Sequence, residues 1–412
     1  MDNLSHSVVG LAVGEFIHRS LAPERDSWHQ SARRCMLLVS CWLASNFSDL
    51  DLLLTHLLPA PLGYLLHHRG HTHTLLYAFP QALLIWILIW LLWPTARRLL
   101  QDSPTANKGL AISLGCGLGL HILMDYLNSY GIHPFHPYNS RWFFGDMVFI
   151  VEPYFWVAFG IPMVVMIQRR WLKGIWVTVL IGILMFFTVM EFLHWASLAL
   201  LIILALVLGR VQHKAGMHDR TALLLAAIVS IGFVGVQSMA SSLARFEVAQ
   251  SLKIKDSASR MLDAAMTPFP TNPFCWSFVS IESNERAGTY RLRRGALSLA
   301  PTFMPINECP ARFSLASVQR EARSAITFVY EQEGDLKKLR ELKKTNCHFE
   351  AWLRFARAPL LSKSHAADLR FASGARGNFA TINLDEFKGR ECSRDVPGWD
   401  FPRADLLGFM VR

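Results

Sequence analysis

Charge is scarce in this chain. Only 17% of its 412 residues are Asp, Glu, Lys or Arg, against 52% hydrophobic. The scarcity is uneven, so the chain does not read as one water-soluble body. Up to about Leu243 long apolar runs are separated by short basic loops; after it, Pro, Arg, Glu and Ser are scattered throughout. Cysteine is also sparse. Cys275, Cys309, Cys347 and Cys392 have no close pairing in sequence, which excludes a Cys-rich zinc site. No cleavable signal peptide is expected. The first twenty residues lack a basic start, and Glu15 interrupts the stretch from His6 to Ile17. The formal net charge of +10 does not point to nucleic acid, because Arg and Lys beside apolar spans are topology determinants.

What the chain does have is apolar length. A helix needs about 20 apolar residues to cross a bilayer core. Thr74–Trp93, Gly109–Leu127, Phe149–Ile167, Leu172–Met190, Leu193–Leu208 and Thr221–Leu243 qualify. Cys35–Leu54 is a further span with a polar end. His6–Leu21 is shorter, with Gly10 and Gly14 at close-packing spacing. The expected fold class is mainly α: a polytopic domain of about seven to eight transmembrane helices over residues 1–243, then a soluble, β-rich α+β domain over 244–412.

The loops have a strong charge asymmetry. One side holds Arg19, Arg25, Arg33, Arg34, Arg97, Arg98, Lys108, Arg169, Arg170, Lys173, Arg210, Lys214 and Arg220; the other side's short loops hold only Arg69 and Arg141. The Arg-rich side is therefore cytoplasmic. By alternation, residues 55–73, 128–148 and the tail after Leu243 face outward, into the periplasm or cell exterior of a bacterium. Long domains cross largely regardless of charge, so the basic tail is no objection. Within that tail, Pro268–Phe274 reads as an extended linker, Trp276–Ile281 and Thr289–Leu292 as strands, and Gln319–Lys344 as mostly helical. Its four cysteines either form two disulfides, in one of three connectivities, or are buried thiols. Cys35, Cys41 and Cys116 read as core residues of the spans.

Ionisable residues in apolar spans are functional candidates, and here they converge. His6 opens the first span; Asp49 and Asp51 end the second. His67, His68, His71 and His73 precede the third. His121 and Asp125 end the fourth, and Asp146 and Glu152 open the fifth. All lie at outward helix ends. His6 is 13 residues from Arg19, Asp49 is 15 from Arg34 and His121 is 13 from Lys108. At 1.5 Å per residue these separations are roughly 20, 22 and 20 Å, against a hydrocarbon core about 30 Å thick. The three share one level, somewhat below the outer surface, where an amphiphile can reach. Glu15, His18 and Glu191 fit no cluster and read as loop or packing residues.

Imidazole and carboxylate together suit zinc, manganese or iron. His121 and Asp125 are four residues apart and share a helix face. Asp49 and Asp51 are too close to share one, so one bridges ions and the other supports it, in either order. The set has room for two or three metals. Paired ions clamp the attacking and leaving oxygens of a phosphoryl or ester group and lower the pKa of bound water. Arg69 and Arg141 are candidates for holding an anionic group such as phosphate.

The motifs His6-Ser-Val-Val-Gly10, Ser48-Asp-Leu-Asp51, His68-Arg-Gly-His-Thr-His73 and His121-Ile-Leu-Met-Asp125-Tyr-Leu-Asn128-Ser-Tyr-Gly131 resemble those of the YdjM-like family. So do Pro137, Arg141-Trp142 and Glu152-Pro153. The resemblance covers about residues 1–160. It implies a LexA-regulated type of inner-membrane protein taken to be a metal-dependent hydrolase. The family is in turn similar to the zinc-dependent phospholipase C and P1 nuclease group. That similarity implies His6, Asp51, His73, His121 and Asp125 as ligands, with His68, Asp49 and Glu152 as further candidates. Val148 stands where the group's later His-x-x-x-Glu/Asp motif has its His. Two zinc ions are therefore expected, with a third only if His133 or His136 substitutes.

The expected function is a membrane-bound metal-dependent hydrolase with phosphodiesterase- or phospholipase-like chemistry. It would act on a phosphoester or ester of a small amphiphile or lipid phosphate at the outer face of the cytoplasmic membrane. Asp49 or Glu152 is the general-base candidate. Two alternatives are a metal or proton transporter and a scaffold with a structural metal site. The first needs a line of polar residues continuing to the cytoplasmic face, and Leu172–Met190 and Leu193–Leu208 show no such line. Membrane lipids are the expected partners, without nucleic acid; no protein partner of the outward domain is identified.

Overall fold

The computed structural model describes residues 1–216, 219–310, 325–372 and 378–408. Eleven helices come first: α1 (Asn3–Ser20), α2 (Ser27–Phe47), α3 (Asp51–Thr55), α4 (Leu62–His67), α5 (Leu75–Leu92), α6 (Pro94–Asp102), α7 (Pro104–Tyr126), α8 (Pro153–Val165), α9 (Arg170–Val189), α10 (Trp195–Ala215) and α11 (Thr221–Lys255). Their starts follow local chemistry. Asp26 caps α2 by accepting from His29 N, Thr74 caps α5 from Tyr77 N, and Ser103 caps α7 from Ala106 N ahead of Pro104.

Among the described residues, six helices are long and apolar enough to cross a membrane: Ser27–Thr55 (α2 with its extension), α5, α7, α9, α10 and α11. Their outer faces are apolar, with Leu83 61%, Leu92 74% and Ile231 74% exposed, a surface suited to lipid rather than water. The count falls short of the expected seven to eight because α8 has only 13 residues and α1 buries Ser5, His6, Glu15 and His18. Both nevertheless run through the middle of the bundle, with α1 packed on α2, α7 and α8. At one end of that bundle the basic loops meet. Arg19 and Arg34 pair with the buried Glu15, Arg33 with Glu24, and Arg25 with Asp102; Arg19 also donates to Asp219 O. The His- and Asp-rich ends lie at the other. Cys41 is buried as expected, whereas Cys35 and Cys116 are exposed on the apolar exterior.

The helices α1, α2 and α7 approach closely because two glycines permit it. A Cβ at Gly10 would sit 2.1 Å from Ser45 Oγ, and one at Gly117 would sit 2.6 Å from Ala44 Cβ. This contact brings the ends carrying His6, Asp49 and His121 together.

The C-terminal domain holds β1 (Arg260–Phe269), β2 (Asn272–Asn284), β3 (Thr289–Ser298), β4 (Ile326–Asp335), α12 (Leu336–Thr345), α13 (Cys347–Leu353), β5 (Pro359–Leu361), β6 (His365–Asp368) and β7 (Thr381–Asn383). Strands β1 to β4 form an antiparallel meander, and β5 to β7 a second antiparallel sheet. The strands expected at Trp276–Ile281 and Thr289–Leu292 lie within β2 and β3. Pro268–Phe274 is not a linker but the tip of the β1–β2 hairpin, where a register shift follows Pro268 and Thr271 adopts a φ of 50°. Gln319–Lys344 is helical only from Leu336, since Ile326–Asp335 is a strand; residues 319–324 lie outside the described residues. The charges that suggested a helix belong to the sheet: Glu331 and Glu333 pair with Arg293 and Arg291 across the ladder. Disulfides join Cys275 to Cys309 and Cys347 to Cys392.

The two regions share their packing. The boundary expected at residue 243 falls inside α11, which runs on to Lys255. Its Ala244, Val248 and Leu252 pack with Met266, Trp276 and Phe278 of the sheet. Leu62, Leu65, Tyr130 and Trp142, from the outward loops of the N-terminal region, sit in one core with Trp352, Phe355 and Trp399. The strongest polar tie is Arg357. Its guanidinium holds Asp146 through both Nη atoms at 2.8 Å and Asp263 through Nε at 2.7 Å. Burial opposes that charge, but the two carboxylates outweigh it and hold the group above its ordinary pKa.

Replacing Arg357 by Met should cost about 3–5 kcal/mol, because Asp146 and Asp263 lose a buried partner. A denaturant or thermal melt of the detergent-solubilised chain reads this; an unchanged midpoint would contradict it. Alkylation of denatured, unreduced protein should label Cys35, Cys41 and Cys116 and spare the other four.

Candidate metal centre

Three elements deliver four side chains to one end of the bundle. Asp49 comes from the 3₁₀ turn Ser48–Leu50 that ends α2, and His73 from the 3₁₀ turn His71–His73 before α5. His121 and Asp125 come from successive turns of α7. Buried Gln81 fixes the first two relative to each other: it accepts from Ser48 Oγ and donates to Thr72 O at 2.8 Å. One ligand atom from each of Asp49, His73, His121 and Asp125 lies within 4.8 Å of all the others, and all four side chains are buried.

Hydrogen bonding behind the imidazoles fixes which nitrogens face inward. His121 Nδ1 is 2.8 Å from Ser45 O, a carbonyl that can only accept, so Nδ1 carries the proton. Thr72 Oγ1 donates to Asp51 Oδ2 at 2.6 Å and is left to accept from His73 Nδ1 at 3.0 Å. Both Nε2 atoms thus present lone pairs, 3.0 Å apart. His73 Nε2 is also 3.3 Å from Asp49 Oδ1 and 3.1 Å from Asp125 Oδ2; His121 Nε2 is 3.7 and 3.5 Å from the same two oxygens. Burial pushes His73 below its ordinary pKa against the pull of Asp49, and the neutral imidazole is the form that ligates a metal. Two imidazole nitrogens and two carboxylate oxygens thus converge on one point.

That arrangement fits a cation. A tetrahedral ion with ligands at about 2.0–2.1 Å has ligand–ligand edges of about 3.3–3.4 Å. The five measured separations, 3.0 to 3.7 Å, straddle this length. The group can therefore hold a metal ion.

A second layer surrounds it. Asp51, buried at 6% exposure, accepts from Thr72 and Arg69 N and meets His68 Nδ1 at 2.9 Å. Of the Asp49/Asp51 pair, then, Asp49 faces the four-donor group and Asp51 stands behind His73. His6 stacks on His121 at 4.2 Å, with Nε2 3.4 Å from Asp125 Oδ1. The Met1 ammonium also meets Asp125 Oδ1. Arg69, at a φ of 60°, puts Nη2 2.9 Å from Asp125 Oδ1 and Nη1 3.1 Å from Asn128, and lies 4.7 Å over the Tyr130 ring. Its charge partly balances the two carboxylates.

Other expected site residues stand apart from the group. Glu152 caps α8 and is held by Thr271 Oγ1 at 2.6 Å, tying the bundle to the β1–β2 hairpin. Asp146 is engaged by Arg357, and Arg141 is exposed. His133 does not replace the missing His at Val148. It is sandwiched between Trp142 and Trp399 at 3.9 and 4.0 Å, and burial pushes its pKa down to about 3. His136 bonds Ser140, His67 meets Asp395 O, and His71 packs against Trp399. Sequence reading gave no role to Ser45, Thr72, Gln81 or Asn128. Gln81 carried a signal, being a lone amide in an apolar span; Ser45 acts through its carbonyl and carried none.

Residues 1–196 match the family model described as YdjM inner membrane protein. No curated protein and no solved structure matches significantly.

His121→Ala or Asp125→Ala should abolish bound metal in protein purified in mild detergent, measured by elemental analysis, while His133→Ala should retain it. Asp51→Asn should weaken metal affinity about 10–100-fold through the misplaced His73. Equal metal content in all variants would refute the assignment.

Proposed function

We propose that this chain, a member over residues 1–196 of the YdjM inner membrane protein family, is a multi-pass metal-dependent hydrolase of the inner membrane. Its outward face would cleave a phosphoester or ester of a lipid-like substrate. The observation that carries this reading is the buried convergence of two imidazole lone pairs with two carboxylates beside a buried guanidinium. Zinc is the ion best suited to two nitrogen and two oxygen donors in this geometry. A divalent ion there supplies Lewis acidity and a lowered water pKa. One ion fits the four-donor group. A second or third would draw on His6 and Asp51, which already touch it.

The protein's own groups divide the work. Arg69 has its Nη atoms on Asp125 and Asn128 while Nε has no partner, leaving one N–H donor for an anionic oxygen. Of the two general-base candidates, the Glu152 carboxylate is taken up by Thr271 and Tyr154; Asp49, one of the four donors, would act as base by giving up its place on the ion, which would also open that position to water. Asp49 and Asp51 are 7% and 6% exposed, whereas His6, His73, His121 and Asp125 are at 0%. Entry is therefore from the Asp49–Asp51 side. Beside it Leu50, Leu53, Leu54 and Leu57 are 50%, 69%, 63% and 81% exposed. Such an apolar apron suits an amphiphile sliding from the bilayer. The disulfide-bonded domain packed over the same end favours an extracytoplasmic location for it.

The test is hydrolysis of phospholipid and lipid-phosphate substrates in mixed micelles by the zinc-loaded full chain. Wild type should turn over at least one such substrate, Asp125→Ala should be inactive, and Arg69→Gln should lose about 10²–10³-fold in kcat, as for loss of a single charge-stabilising donor. Turnover that survives Asp125→Ala would overturn the proposal.

A further inference from the structure

Along α1, from Leu4 and Ser7 down to the basic end at Arg19 and Leu21, lies a cavity of about 920 Å³. This is in the upper range of small-molecule sites, roughly 300–1,000 Å³. One of its walls is α9, through Leu172 and Trp176. Of that helix's twenty residues only Leu184 and Thr188 are buried, both in the half nearer the outward face. The other half, from Arg170 to Gly182, leaves a wedge between α1 and α9 with α8 as its floor. Val8, Leu11, Val164 and Trp176 line the apolar part.

The wedge closes on charge. Glu15, Arg19, Arg34 and Arg169 line its cytoplasmic end, three guanidiniums against one carboxylate. Glu15 is buried and shared: Arg19 Nε and Arg34 Nε each reach it at 2.7 Å. Arg19 spends Nη1 on Asp219 O. Arg34, with a side chain 47% exposed, engages Glu15 only through Nε, so both its Nη groups point elsewhere. Arg169 is exposed at the same rim.

We propose that this wedge binds one anionic phospholipid of the cytoplasmic leaflet, with its phosphate between Arg34 and Arg169 and an acyl chain along Val8, Leu11, Val164 and Trp176. The occupant follows from complementarity. The head end has a net charge of +2, guanidinium forks match phosphate oxygens, and basic pockets between transmembrane helices on this side take acidic headgroups. The apolar walls are open to the bilayer along the exposed face of α9. This site is separate from the metal centre, so it anchors or positions the protein and is not where the substrate reacts.

The experiment is native mass spectrometry of the full chain in neutral detergent, titrated with phosphatidylglycerol or phosphatidylcholine. Wild type should retain one phosphatidylglycerol at concentrations where phosphatidylcholine is lost. Arg34→Gln/Arg169→Gln should reduce that retention at least tenfold, Arg34→Lys/Arg169→Lys should largely keep it, and Asp125→Ala should keep it in full. Glycerol 3-phosphate at the same concentration should not displace the lipid; equal displacement would make this a soluble-phosphate site and overturn the lipid assignment. Equal retention of both lipids by wild type, or of phosphatidylglycerol by the Gln variant, would also overturn it.

Discussion

Two unprotonated imidazole nitrogens 3.0 Å apart, with two carboxylate oxygens at similar distances, cannot be stable alone in a low-dielectric interior. Like-signed lone pairs repel there more strongly than in water. The rest of the molecule is arranged so that this clustering is tolerated. Ser45 O and Thr72 hold the tautomers, Arg69 contributes one positive charge, and Asp51 orients the loop that supplies His73. The Met1 ammonium adds a second positive charge, and a cation at the centre would offset the repulsion that remains among the four donors.

The bundle's packing serves that end. Glycines at the α1–α2–α7 contact let backbones approach so that ligands from separate helices reach one point. The soluble domain closes the outward loops over it. Trp399 donates to Leu66 O, Trp142 to Arg354 O, and Arg370 to Ser129 O and Tyr130 O. These bonds hold the segments that carry His68, Arg69 and Asn128. The outward domain is thus part of the structure that positions the site, not a separate attachment.

Much of this was legible in the sequence because membranes simplify the physics. Apolar length marks spans, and Arg and Lys mark sides. Ionisable residues stand out against an apolar background, so His73, His121, Asp49 and Asp125 could be singled out by type and placed at one end. The sequence could not rank Asp49 against Asp51, since that depends on how a single 3₁₀ turn rotates them. Glu152 and Asp146 were misleading for a related reason. They also lie at outward helix ends, but their partners, Thr271 and Arg357, are more than a hundred residues away in a domain whose fold no motif announces. The strand Ile326–Asp335 was read as helix because charge alternation on a sheet edge and on a helix face look alike in a polar segment.

The central claim is that one ion sits among Asp49, His73, His121 and Asp125. The most direct measurement is an anomalous difference map at the absorption edge of the metal found in the purified protein. The account predicts a peak enclosed by those four residues, about 2.0–2.2 Å from the two Nε2 atoms and the two carboxylate oxygens. A metal peak elsewhere, or a metal-free site in which His73 and His121 share a proton, would contradict it.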